Sequence, residues 1–99
     1  MSVTSDILRA SARLAILRSL AASGDYKLNT SVLQDALDDI GLSMTRGQVE
    51  TECAWLAERD CVATSRHESA VVVVLTERGG NVASGREIVE GIKRPRPGG

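Results

Sequence analysis

Thr45-Arg46-Gly47-Gln48-Val49-Glu50-Thr51-Glu52-Cys53-Ala54-Trp55-Leu56-Ala57-Glu58-Arg59-Asp60-Cys61-Val62 is the stretch where the hydrophobic period changes. Thr45 and Gln48 have capping-box spacing, in which the hydroxyl accepts the Gln48 N–H while the amide side chain reaches back. Val49, Cys53, Leu56 and Ala57 then share one helical stripe. The spacing predicts a helix from Thr45 to about Asp60, whose short polar side chain tolerates the left-handed conformation. From Cys61 onward the reading is strand to Ser65, polar turn Arg66-His67-Glu68-Ser69, and a β-branched strand Ala70-Val71-Val72-Val73-Val74-Leu75. A helix therefore feeds directly into a hairpin.

Upstream, Ser5 with Asp6 is expected to cap a helix over about residues 5–22, with Leu14, Ile16, Leu17 and Leu20 among its apolar positions. Asn29 is expected to cap a second helix over about 30–40, carrying Leu33, Leu37 and Ile40 and stopped at Gly41. Only Gly41 to Met44 separate this helix from the next, a connection of helix-turn-helix length. Leu17, Leu33, Val49 and Leu56 are the expected core. Downstream, Thr76 caps a fourth helix weakened by Gly79 and Gly80, with Gly85 as a point of interruption. Residues 1–90 form the expected domain. Residues 91–99, Gly-Ile-Lys-Arg-Pro-Arg-Pro-Gly-Gly, hold two prolines and three glycines and are expected to be a flexible basic tail.

Ninety-nine residues suffice for one core and not two. Tyr26 and Trp55 are the only aromatics, so aliphatic side chains must supply nearly all the burial. No apolar run approaches the roughly 20 residues a membrane span needs, and the polar start has no signal-peptide pattern. The expected location is the cytoplasm. Cys53 and Cys61, eight positions apart on one expected helix, would lie roughly 12 Å apart, too far for a disulfide. They read as small core residues, with no metal or cofactor implied.

Helix, helix, helix, hairpin, helix is the winged-helix order. Trp55-Leu56-Ala57-Glu58-Arg59-Asp60-Cys61-Val62 resembles the end of a recognition helix entering a wing, and Leu75-Thr76-Glu77-Arg78-Gly79 resembles the usual wing exit. Ala12-Arg13-Leu14-Ala15-Ile16-Leu17-Arg18, Asp25-Tyr26-Lys27-Leu28-Asn29 and Ile92-Lys93-Arg94-Pro95 complete a resemblance to the small winged-helix proteins of Mu-like prophages. The resemblance implies an α+β winged helix-turn-helix: three helices, a two-stranded β-hairpin wing and a C-terminal helix. It also implies kinship of fold with bacterial transcriptional repressors.

One histidine and no phosphate-binding glycine loop leave no inventory for an enzyme. Double-stranded DNA is the expected partner of such a fold, read by the third helix. Its charge opposes that. Over residues 29–60 the acids Asp35, Asp38, Asp39, Glu50, Glu52, Glu58 and Asp60 face only Arg46 and Arg59, a net −5. The candidate DNA-binding residues are Arg46 and Thr51 on the helix, Arg66 and His67 in the wing, and Lys93, Arg94 and Arg96 in the tail. Ile7, Leu8 and Trp55 are the interface candidates, with a homodimer through the first and last helices the expected state. Trp55 falls roughly 130° from the apolar stripe at about 100° per residue, so it either packs over the wing base or last helix, or anchors a partner. The reading is a DNA-binding regulatory protein of a Mu-like phage. The alternative is a protein-interaction module in phage assembly or DNA packaging.

Overall fold

The computed structural model describes residues 3–96. In chain order they form α1 (Val3–Ala22), β1 (Lys27–Asn29), α2 (Thr30–Asp39), α3 (Arg46–Glu58), β2 (Val62–His67), β3 (Ala70–Leu75) and α4 (Glu77–Ala83). The mixed α+β fold joins four helices to a three-stranded antiparallel sheet of order β1-β3-β2.

Side-chain caps set the starts of three helices. Asn29 accepts the Val32 N–H at 2.8 Å. Thr45 Oγ1 accepts the Gln48 N–H at 3.1 Å while Gln48 Oε1 accepts the Thr45 N–H at 2.8 Å, closing the expected box. Thr76 Oγ1 accepts the Gly79 N–H at 3.1 Å. The same three helices end alike. Gly41, Asp60 and Gly85 each take a positive φ, and the residue after each donates five residues back, to the carbonyls of Leu37, Leu56 and Asn81. These bonds satisfy orphan carbonyls and turn the chain sharply, so Gly85 ends α4 before Ile88 and Val89.

Four expectations need correction. α1 begins at Val3, before Ser5 and Asp6, and Asp6 lies in the first turn, where a carboxylate complements the helix dipole. Cys61 falls beyond α3, past the left-handed Asp60, so the cysteines occupy different elements; both are free and buried. The sheet has a third strand, β1, paired through Lys27↔Val74, Leu28↔Val73 and Asn29↔Val72. Three residues are too short to show a period. Finally, a domain boundary after residue 90 cuts packed structure, because Val89 and Ile92 are buried and the Lys93 N–H donates to Ala10 O at 3.1 Å. Residues 97–99 of the expected tail lie outside the described residues.

Leu17, Leu33, Val49 and Leu56 are all fully buried, as their spacing predicts. They meet Ile16 and Leu20 of α1, Leu37 of α2 and Val73 of β3 in one cluster. α1 is the central element, packing on α2, α3 and α4. This leaves one flank of α3 free to face outward beside the hairpin.

Candidate nucleic-acid interface

With Val49, Cys53 and Leu56 turned inward, α3 exposes Arg46, Gly47, Thr51, Ala54 and Glu58, with Glu50 half-buried. A groove of about 380 Å³ runs between this ridge and β2, lined on one side by Glu50 and Thr51 and on the other by Thr64 and Arg66. Arg66 Nη2 donates to Glu50 Oε1 at 3.0 Å across it, tying the hairpin to the helix. Arg46 Nη2 donates to Ser31 Oγ at 3.3 Å, joining the start of α3 to α2. The Thr51 hydroxyl turns back on its own helix, donating to Gly47 O at 2.9 Å.

The structure brings Thr51 and Arg66 to one groove, leaves Arg46 at the start of α3 turned toward Ser31 of α2, and separates the other candidates from it. His67 is exposed and its Nε2 lies 3.2 Å from Ser65 Oγ. Successive strand side chains leave opposite faces, so His67 points away from the face on which Arg66 meets Glu50. Lys93 lies along α1 and α2 beside Leu14, Ala15 and Ile40. Arg94 lies by the end of α4 near Gly85 and Ile88, and Arg96 is exposed beyond Pro95. None of the three C-terminal bases lines the α3 groove.

Trp55, on the other flank of α3, is engaged within the chain. The Arg13 and Arg59 guanidinium carbons stand 3.7 and 3.6 Å from its ring centroid. Two cations cannot share one face of a ring at that distance, so the indole is sandwiched between them. Arg13 also bonds Glu52 Oε1 at 2.6 Å and Gly91 O at 2.9 Å, while Arg59 returns to Trp55 O at 3.1 Å. Gly91 (φ +93) lies so close that a Cβ there would sit 2.7 Å from Trp55 Cζ2. Trp55 thus packs against Arg13 of α1 and clamps the C-terminal segment at Gly91, partners other than the wing base or last helix that its packing reading named. Ile7 and Leu8 are 58% and 49% exposed on α1. The faces of α1 and α4 that meet do so within the chain and are spent there.

The sequence reading missed Arg13 and Glu52. The signal was present, since Glu52 lies three positions after Val49 and four before Leu56, on the inward stripe, where a carboxylate must be paired. Glu52 is 6% exposed. Removing one partner of a buried ion pair strands the other, about 3–5 kcal/mol when burial is complete. Arg13 keeps Trp55 and Gly91 as partners, so Glu52→Ala is expected to destabilise by about 2 kcal/mol in urea melts, with the double change Arg13→Met and Glu52→Leu recovering part of it.

Glu50 and Glu52 are thus each offset by an arginine from outside residues 29–60, which softens the acidic charge of α3. The remaining acids are Asp35 within α2, Asp38 and Asp39 late in it, and Glu58 and Asp60 where α3 finishes. Burial, then the charges of Glu52 and Glu50, push the Cys53 thiol up to about 12, and burial also raises Cys61. Neither is a thiolate near neutrality. Among the described residues no three His, Cys, Asp or Glu side chains gather as a metal site requires.

Aligned over 92 residues, the chain is 46% identical to the uncharacterized protein gp26 of Escherichia phage Mu, covering 93% of this chain and 95% of gp26. It belongs to the gp26 family of Mu-like phages. An uncharacterized protein of Haemophilus influenzae is 34% identical over 67 residues, which span 67% of this chain and 65% of that protein. No family model matches the chain. The gp26 kinship extends over both flanks of α3, the hairpin and the clamped C-terminal segment. Among the described residues no helix is long and apolar enough to cross a membrane.

Proposed function

We propose that this gp26-family chain is a winged helix-turn-helix protein that binds double-stranded DNA through the first half of α3 and the β2–β3 hairpin, in a regulatory role within the host cytoplasm. The observation that carries the reading is the Arg66–Glu50 bond, which sets the hairpin beside α3 and offsets the carboxylate that would otherwise repel phosphates. Element order supports it too: two helices joined by a short turn, then a hairpin, then a returning helix. The role is binding and not catalysis. Arg46 and Arg66 are the phosphate-contacting residues, and Lys93, Arg94 and Arg96 stand outside the interface of a single chain.

The test is fluorescence anisotropy of a mixed-sequence duplex at about 50 mM salt, where phosphate contacts are strongest. Arg46→Ala and Arg66→Ala are each expected to weaken binding and to lower the slope of log affinity against log salt by about 0.9. Arg94→Ala with Arg96→Ala should leave that slope unchanged. No duplex binding by the intact protein ends this reading. The second reading is a protein-interaction module, favoured by the exposure of Ile7 and Leu8 on α1. Under it, Leu8→Ser abolishes self-association or capture of a phage protein in sedimentation, while duplex DNA has no effect.

A further inference from the structure

We propose that Glu50 selects a cytosine in the major groove, an inference that rests on the DNA-binding reading above. Glu50 follows Arg46 by one helical turn on the outward flank of α3. Around it the ridge is low. Thr51 and Ala54 are small, and a Cβ added at Gly47 would meet nothing nearer than Thr45 Oγ1 at 4.0 Å. Base edges can therefore approach the helix closely, and the carboxylate is the acceptor they meet.

Among the base edges of the major groove, only cytosine N4 and adenine N6 offer amino donors. Adenine places its N7 acceptor beside N6, where it repels the carboxylate, whereas cytosine presents the donor alone. Arg66 donates to Glu50 Oε1 at 3.0 Å, which holds the carboxylate in place and leaves its other oxygen to accept from cytosine N4. The Glu50 side chain is only 28% exposed and already bonded, so it is oriented before DNA arrives. An unpaired surface glutamate has neither advantage.

The test is selection of duplexes from a randomised pool by the intact protein, by Glu50→Gln and by Glu50→Asp, each variant first checked for an unchanged melting temperature. The intact protein is expected to enrich a C·G pair at one position, by about 5- to 100-fold over other pairs. Glu50→Gln should still retain duplex but shift that position toward adenine, whose N6 and N7 suit an amide. Glu50→Asp, with its shorter reach, should lose the preference without the shift. Retention of the same cytosine by Glu50→Gln overturns the inference, as does an intact protein that binds duplex with no base preference. Failure of the intact protein to retain any duplex is a different result and removes the DNA-binding reading itself.

Discussion

Gly79→Ala is expected to lower the melting temperature by more than about 10 °C, through a loss of roughly 3 kcal/mol. The substitution should by propensity alone gain up to about 1 kcal/mol, because alanine is the better helix former. Contact decides the sign. A Cβ at Gly79 would lie 2.0 Å from the Cys61 carbonyl oxygen and 2.7 Å from Leu75 Cδ1. The first obstacle is backbone, and the same carbonyl already accepts the Thr76 N–H at 3.2 Å. Relief would require α4 to leave the hairpin exit. Gly80→Ala is the control, because its Cβ meets Leu75 Cδ2 at an ordinary 3.8 Å and should stabilise slightly. Equal effects at the two positions would show that helix propensity, and not this approach, sets the outcome.

Leu56→Ala is expected to destabilise by about 2–5 kcal/mol, combining lost transfer energy with the cavity left behind. Leu56 is fully buried, and its carbonyl also accepts the Cys61 N–H at 3.0 Å, so the side chain and the turn after it fix the same end of α3. The surrounding cluster is aliphatic and has few large side chains able to slump into the space. Chemical denaturation monitored by circular dichroism measures the loss, and a midpoint unchanged from the parent would mean that α3 turns another face inward.

Much of the frame was legible because local signals agreed with the global packing. Asn29, Thr45 and Thr76 each have a side-chain acceptor at the right place, and their helices begin there. Leu17, Leu33, Val49 and Leu56 recur at helical spacing and are buried. β1 was not legible, because its three residues gain strand geometry only from β3. The expectation of a flexible tail at residue 91 failed for a related reason. Gly91 and the prolines read as loop by composition, yet Ile92 finds the core and Arg13 binds the Gly91 carbonyl from another element. The candidate site was half legible: Thr51 and Arg66 line one groove while Arg46 turns to Ser31, and the partners of Glu50 and Glu52 are set by tertiary approach, which one-dimensional charge counting cannot see.

Trp55 is the chain's only tryptophan, and it stands where α1, α3 and the returning C-terminal segment meet. Its emission is therefore a built-in optical gauge of that junction. Lifting Gly91 from the indole edge, or withdrawing either guanidinium, changes the ring's solvent and charge surroundings while the distant hairpin stays folded. Undocking of the C-terminal segment can thus be timed separately from unfolding without attaching a dye.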